Sequence, residues 1–418
     1  MAWSAADAER YLDGLQPVGW KLGLERMHRL TSVLGMPQHR FASIHVVGTN
    51  GKSSVTRMAA TLTQAAGHPS GATFSPHMER WAERTWIRGS EVEPERFARA
   101  VERTAKAAEV VDRTLPGDEA VTQFEAAVAA SFVAMAGSRV KVAAIEAGLG
   151  GRLDATNVIP SRVTVLTSVG LDHTDWLGDD EISIATEKLA VLRHGSVLVL
   201  GEVSAEVAEL AAAHAERMGA RLLRPRPGRE PVRLRALGEH QRRNFALAVA
   251  AAEAVVGPLD PAVVGAVAEE VEIPARLEVV SADPVVLIDA AHNPQGMGAL
   301  AAALPQIADG RDVIACVGVM ADKDAPGMMD ALAPAITTAV ATQPPAGAAS
   351  ARPGSAPLPA GALAALLRER GVPTDEVAEA GVALARARDL AAGRSGIVIV
   401  TGSHYLLRAV SATAVRRS

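Results

Sequence analysis

The sequence predicts an α/β protein of two domains. The larger carries a phosphate-binding loop on a parallel-rich sheet, and the smaller is Rossmann-like and C-terminal. Three observations predict this. Short β-branched runs alternate with alanine-rich amphipathic stretches, the pattern of parallel sheets covered by helices. A glycine loop follows the first such run. The length, 418 residues, exceeds one ordinary hydrophobic core and suits two.

The runs lie near Ile44–Val47, Val140–Ile145, Val163–Thr167, Val197–Leu200, Val285–Ile288, Val313–Val317, Thr337–Ala341 and Ile397–Val400. Ligands of parallel sheets bind beyond the carboxyl ends of the strands, so the residues there are informative. Glu146 follows the second run, Asp172 and His173 the third, and Asp289, His292 and Asn293 the fifth. Gly318, Asp322 and Lys323 follow the sixth, and Thr401, Gly402 and Ser403 the last. A helical stretch through Asn244–Val256, then Gly257-Pro258 and a second helix ending near Val271, precede Pro274-Ala275-Arg276. The boundary is therefore placed between 273 and 274, giving domains 1–273 and 274–418. The Ala/Pro/Ser/Gly stretch from Pro344 to Ala360 reads as a surface loop of the second domain. No internal repeat or heptad pattern is visible.

Hydrophobic residues make up 49% of the chain, charged residues 21% and aromatics 3%, so the cores must be built from Ala, Val and Leu. The net charge of -5 gives no reason to expect a nucleic acid or an anionic membrane as partner. The cluster Arg221, Arg224, Arg226 and Arg229 is broken by prolines and reads as a solvated loop. Cys316 is the only cysteine, which excludes internal disulfides and a thiolate metal cage. It lies in an apolar run and reads as a buried structural thiol. The N-terminus lacks the signal-peptide pattern, and no apolar run approaches membrane-spanning length. A cytoplasmic protein is expected, and a monomer.

The glycine loop is Gly48-Thr49-Asn50-Gly51-Lys52-Ser53-Ser54. Val55, Met58, Ala59 and Leu62 behind it recur at helical spacing. Strand, glycine loop and helix N-terminus together cradle phosphates: glycines let backbone N–H groups close on oxygens, a lysine neutralises charge, and a hydroxyl reaches the metal. The long form of the motif would have glycine where Val46 stands. A turn that merely contains Gly-Lys-Ser is the bland alternative.

Further segments read as one site in order. They are Phe74-Ser75-Pro76-His77, Thr122-Gln123-Phe124-Glu125, Glu146 through Asn157, Gly170-Leu171-Asp172-His173-Thr174, Glu187-Lys188, His240 through Asn244, Pro274 through Glu278, and Asp289 through Pro294. In this order they closely resemble the folylpolyglutamate synthase and dihydrofolate synthase family of the Mur ligase superfamily. The resemblance runs from about Gly23 to Ser403. It implies a Mur-ligase-like P-loop ATPase domain followed by the Rossmann-like domain. It also implies an ATP-dependent ligase that joins L-glutamate to dihydropteroate or a reduced folate through an acyl phosphate. Such chemistry needs positioning and neutralisation of charge on the moving phosphoryl group.

The resemblance implies roles residue by residue. Thr49, Asn50, Gly51, Lys52, Ser53 and Ser54 would hold the ATP phosphates. Ser75, Glu146 and His173 would hold Mg2+, with a carbamylated Lys188 helping to bind a second ion. Asn244, Arg276 and Asp289 would contact the adenosine side, which would put the nucleotide between the domains. His292 would face the transferring phosphate. Thr122, Gln123, Phe124 and Glu125, with Leu153, Asp154 and Ala155, would hold the pterin. Taken alone, Glu146 reads equally as a strand-end acid capping the next loop, His173 as a structural histidine, and Lys188 as an ordinary snorkelling lysine.

Three departures from the family pattern are visible. Ser53 replaces the usual glycine after the loop lysine, so Ser53 or Ser54 would serve the metal. Ala275 replaces a glycine before Arg276, and Ala290 replaces a common glycine after Asp289. Local backbone adjustment is expected at both alanines. Two other readings remain. A cell-wall amino-acid ligase of the same superfamily would carry a further domain ahead of the loop, for which Gly48 leaves no room at ordinary domain sizes. A non-catalytic ATP-binding regulator would show decay of the metal ligands, yet Ser75, Glu146, His173 and Lys188 are all present.

Overall fold

In the first unit the strands are β1 (Ala42–Val47), β2 (Ser70–Thr73), β3 (Thr85–Ile87), β4 (Ser90–Glu91), β5 (Val142–Glu146), β6 (Val163–Leu166), β7 (Val197–Leu200) and β8 (Arg221–Leu223). They form one sheet in the order β4-β3-β2-β5-β1-β6-β7-β8. The six strands from β2 to β8 in that order are parallel, and β3 and β4 turn back antiparallel at one edge. A parallel strand is covered on both faces, which is why β5 and β6 are buried at every residue. The edge strands β4 and β8 are short and exposed, which limits pairing with other chains.

The computed structural model describes residues 2–15, 23–226, 233–345 and 356–414. Its Cα framework divides into Met1–Arg235 with Gln241–Val271, and Ala236–His240 with Glu272–Ser418. No helix among the described residues is long and apolar enough to cross a membrane.

β1 lies between β5 and β6, with Val46 opposite Glu146 and Val47 opposite Leu166. The loops leaving these three strands therefore start side by side at the carboxyl edge. One apolar cluster packs helices Pro94–Asp112 and Gln123–Gly137 with Ala143 and Ile145 of β5. Another packs helices Glu181–Leu189 and Ala205–Arg217 with Val47, Leu166 and Leu198. Helix Gln123–Gly137 is alanine-rich and almost wholly buried, so small side chains let its neighbours approach closely.

The second unit holds β9 (Glu278–Ala282), β10 (Val285–Ile288), β11 (Val313–Val317), β12 (Thr338–Ala341), β13 (Thr374–Glu376) and β14 (Ile397–Thr401). The order is β13-β12-β11-β14-β10-β9, parallel except for β9. Cys316 is buried on β11, and burial pushes its thiol up to about 12, as befits a structural residue.

Two expectations need correction. Arg221 opens edge strand β8 instead of lying in a loop, because pairing with β7 extends the sheet by one strand. Arg224 donates to the Ala208 carbonyl at 3.0 Å, and Arg229 lies outside the described residues. Of the stretch from Pro344 to Ala360, residues 346–355 lie outside the described residues. Its far end is ordered: Pro357 bridges to Met320, and Ala360 opens helix Ala360–Glu369.

Ala275 has φ +54 and Leu277 φ +49, both in the left-handed region. The Ala275 carbonyl accepts from Ala290 N at 3.0 Å, which holds the turn. The adjustment expected at Ala275 is thus a strained backbone at a position suited to glycine. An L-residue there costs about 1–2 kcal/mol, and glycine's extra freedom in the unfolded chain offsets about 0.4–1 of that. The buried Ala275 methyl contributes about 0.8 kcal/mol that glycine loses, so Ala275→Gly should change stability by less than about 1 kcal/mol in urea unfolding, against the usual loss for a buried alanine. A larger loss would contradict this account.

Candidate active site

The glycine loop begins where β1 ends. Gly48 has φ +151, and a Cβ there would collide with Thr167. Gly51 has φ +84 and leads into helix Lys52–Ala65. A Cβ on Gly51 would fall 2.7 Å from Asn244 Oδ1, so Asn244 packs directly on the loop. Among the described residues no side chain caps that helix. Its first-turn N–H groups and dipole make an anion seat.

The loop is braced from the strand beside it. Asn50 N donates to Ser168 Oγ at 3.0 Å, Thr167 Oγ1 donates to Asn50 O at 2.6 Å, and Thr49 Oγ1 donates to Gly170 O at 3.1 Å. Of these partners, Gly170 belongs to a segment marked by the sequence, whereas Thr167 and Ser168 were not singled out as partners of the loop. The polar run Thr167-Ser168 at a strand's carboxyl end was the available signal, but only the β1–β6 pairing tells which loop it serves.

Lys52 folds back over the loop, its Nζ donating to Gly48 O and Thr49 O at 3.0 Å each. Lys188 is buried near the end of helix Glu181–Leu189, and its Nζ donates to the same Gly48 oxygen at 3.0 Å. Burial first, then the Lys52 charge, pulls the Lys188 amine down to about 7, while Asp172 and Asp154 oppose the shift. A snorkelling lysine would reach solvent, and this one does not.

Glu146 is buried at the end of β5. Ser53 Oγ donates to its Oε1 at 2.8 Å and Ser75 N to its Oε2 at 3.1 Å. Ser54 is buried, and its hydroxyl has no partner among the described residues. Helical phase thus turns Ser53 toward the acid and Ser54 away from solvent. His173 has φ +55 and lies on the loop beyond β6, with Nε2 3.7 Å from Asp172 Oδ1. Among the described residues no three His, Cys, Asp or Glu side chains form a metal cluster. The expected set contains only two such residues. Its carboxylate and serine hydroxyls are hard oxygen donors, so it suits magnesium, which keeps several waters.

Glu125 and Asp154, expected beside the pterin, are both engaged within the protein. Glu125 accepts from Arg26 Nε at 3.1 Å on each oxygen and from Thr122 N at 2.9 Å, closing a capping box on helix Gln123–Gly137. Asp154 accepts from Gly148 N, Leu149 N and Thr156 N at 2.8–2.9 Å, and from Thr156 Oγ1. Burial raises the Asp154 carboxyl, against these hydrogen bonds. Gln123 Nε2 donates to Leu12 O at 2.9 Å. Phe124 lies against Gly148, where a Cβ would fall 2.5 Å from its ring. Leu153 is 40% exposed and Ala155 is buried.

In the second unit Asp289 is buried and accepts from Leu277 N and Ala291 N at 3.0 and 2.9 Å. Burial raises its carboxyl, opposed first by the Arg276 charge. His292 Nδ1 lies 2.9 Å from Ala290 O, and its ring is 5.3 Å from that of His404.

The family described as Mur ligase, glutamate ligase domain, matches residues 275–404. A dihydrofolate synthase/folylpolyglutamate synthase of Mycobacterium tuberculosis is 35% identical over 358 residues, covering 76% of this chain and 74% of the relative. The folylpolyglutamate synthase of Mycobacterium tuberculosis complexed with ADP and AMPPCP has a similar structure, with TM-score 0.88, 32% identity and 98% coverage of both chains. A bifunctional folylpolyglutamate synthase/dihydrofolate synthase with Mn, AMPPNP and L-glutamate bound superposes with TM-score 0.79 at 28% identity, covering 98% of both chains. Likeness of this extent, in sequence and in fold, means that the chain belongs to the dihydrofolate synthase/folylpolyglutamate synthase family of Mur ligases, ATP-dependent ligases that join glutamate to a pteroate or folate carboxylate.

Proposed function

We propose that this ligase makes dihydrofolate from dihydropteroate, and that the first unit's loop is its phosphoryl-transfer centre. In the first step a carboxylate oxygen of the acceptor bonds to the γ-phosphorus of ATP, and ADP leaves. In the second the glutamate amine attacks the acyl carbon, inorganic phosphate leaves, and the amine's surplus proton passes to solvent. The observation that carries this reading is the meeting of two lysines at the Gly48 carbonyl, beside Glu146 and Ser53. Phosphate oxygens entering the loop would take over the ammonium hydrogen bonds now made to backbone carbonyls. Lys52 would follow the transferring charge, and the N–H groups from Gly51 onward would orient the phosphates.

Ser53, Ser75, Glu146 and His173 are the residues we propose for magnesium, with Lys188 serving a second ion once carbamylated. Magnesium, when bound, would neutralise charge on the phosphoryl oxygens. Ser53 is preferred over Ser54 because its hydroxyl already meets Glu146. Asn244, Arg276 and Asp289 are proposed for the adenosine side and His292 for the phosphate side. Phe124 and Leu153 are proposed as apolar contacts of the acceptor, while Glu125 and Asp154 shape the segments that carry them. The protein is proposed to act as a monomer in the cytoplasm, where ATP, glutamate and a reducing environment for Cys316 coexist.

ATP hydrolysis by purified protein should need both L-glutamate and the acceptor. Lys52→Ala should lower kcat about 100- to 1000-fold with folding intact, the scale of losing one preorganised charge contact. Near-normal turnover would mean that the loop is not the catalytic nucleotide site.

Dihydropteroate should be consumed in a side-by-side assay with tetrahydrofolate. Glutamylation of tetrahydrofolate alone would leave a polyglutamylating role and remove the dihydropteroate assignment.

Lys188 should carry a carbamate in the active enzyme. Its neutral nitrogen attacks carbon dioxide, an N–C bond forms, and a proton is released. Because burial and Lys52 pull the amine down to about 7, its neutral fraction rises as pH climbs through that value. At constant dissolved carbon dioxide, the carbamate signal in carbon-13 NMR should therefore grow between pH 6 and 8. Lys188→Ala should lose about 100-fold in activity, and a short carboxylic acid should restore part of it. Full activity in carbon-dioxide-free buffer with no carbamate signal would end this proposal.

A further inference from the structure

Behind the acceptor segment lies a buried polar chain. His45 stands in the middle of β1, fully buried, paired with Ile145 of β5 on one side and Thr164 of β6 on the other. Its Nε2 is 2.8 Å from Thr156 Oγ1. Thr156 Oγ1 in turn makes a short hydrogen bond to Asp154 Oδ1. The second oxygen of Asp154 accepts from Gly148 N and Leu149 N at 2.9 and 2.8 Å.

The direction of each proton follows from counting. Asp154 is an acceptor throughout, so the single hydroxyl proton of Thr156 goes to it. Thr156 Oγ1 then accepts from His45, which fixes the proton on Nε2. His45 Nδ1 is left bare, and it has no partner among the described residues. Burial holds the imidazole neutral, pulling it down to about 3, with the Arg193 charge acting in the same sense. The chain therefore carries no net positive charge toward Asp154. It acts through distance and direction.

The two ends of this chain sit on different parts of the site. His45 is three residues before Gly48, on the strand that delivers the phosphate loop. Asp154 holds the turn from Gly148 to Ala155, which also lies close to the Lys188 helix. Arg152 N donates to Glu187 O at 3.0 Å, and a Cβ on Gly151 would fall 3.1 Å from Lys188 Cα. A side chain at Gly151 would move the turn off the helix. We infer that His45 and Thr156 are positioning residues, which hold the acceptor segment in register with the phosphate loop so that the acceptor carboxylate meets the γ-phosphate. The inference rests on the proposed acceptor role of Leu153 to Ala155 and goes beyond it. Neither residue touches a reactant. A misplacement of about 1 Å between reacting groups costs roughly 100-fold in rate.

Steady-state kinetics on the full chain tests the relay. Thr156→Val keeps the shape and removes the proton link, and Thr156→Ser keeps the link. Thr156→Val should lower kcat/KM for dihydropteroate about 10- to 100-fold while KM for ATP stays within about twofold. Thr156→Ser should stay within about threefold of the parent on both. Thermal unfolding of each variant is measured alongside. The relay is rejected if Thr156→Val leaves kcat/KM for dihydropteroate unchanged, if KM for ATP rises in step, or if Thr156→Ser fails equally. Leu153→Arg probes the acceptor reading separately, since that side chain is exposed and takes no part in the relay. An unchanged KM for dihydropteroate in Leu153→Arg rejects the acceptor assignment. A raised KM there beside a silent Thr156→Val rejects the relay alone.

Discussion

One backbone oxygen accepts from two lysine nitrogens. Lys52 and Lys188 both donate to Gly48 O, and much of the first unit serves to make that geometry hold. Like charges brought together away from water repel strongly, so one of them must lose its proton or gain an anion. Lys188 is the buried member, and its amine is the one pulled toward neutrality. Lys52 keeps a route to solvent through a half-buried side chain. The arrangement is therefore asymmetric before any substrate arrives. It favours a dense negative charge at the loop, and it leaves one nitrogen with a lone pair. A single surface lysine on a glycine loop would have the first property but not the second.

That geometry needs backbone brought closer than side chains allow. Gly48 lies against Thr167, Gly51 against Asn244, and Gly151 against the main chain of Glu187 and Lys188. Each glycine closes a different contact: glycine loop to the end of β6, glycine loop to helix Glu239–Val256, and the turn from Gly148 to Ala155 to the Lys188 helix. The hydrogen bonds from Thr167, Ser168 and Gly170 then lock the first of these. Close packing and polar bracing are both required. Without the glycines the polar groups would not meet, and without the braces the loop would retain its conformational freedom.

What could be read from the sequence follows from burial. β1, β5, β6, β11 and β14 are buried nearly throughout, so their apolar runs mark them unaided. β2 is Ser-Gly-Ala-Thr and has no such run; it is a strand because β5 pairs with it, and Gly71 makes room for Met135. β9 is exposed along most of its length and is held by β10. The strand, glycine loop and helix were legible because their pattern is local, with the loop itself seven consecutive residues. The loop's braces were not, because Thr167 and Ser168 reach it only through the order of strands. Which of Ser53 and Ser54 meets Glu146 depends on the phase of the helix, which a sequence does not supply at a helix start.

The buried carboxylates show the same limit from the other side. Glu125, Asp154 and Asp289 all fall in segments where a ligand was expected, and all direct oxygens at groups of their own chain. An acid at low dielectric is stable only when several donors face it. Backbone N–H groups at the start of a turn or helix are the nearest supply. A carboxylate placed there shapes the turn first, and any ligand meets the turn rather than the acid. Residue type and position alone thus mark segments rich in polar groups, while the backbone groups that each acid serves emerge only in the fold. Of the apolar side chains in these segments, Leu153 faces solvent, while Phe124 packs against Gly148 and the apolar cluster behind it. The division of labour is physical: the charged groups in these segments hold the backbone, and the polar groups that they satisfy are those of the turn or helix start beside them.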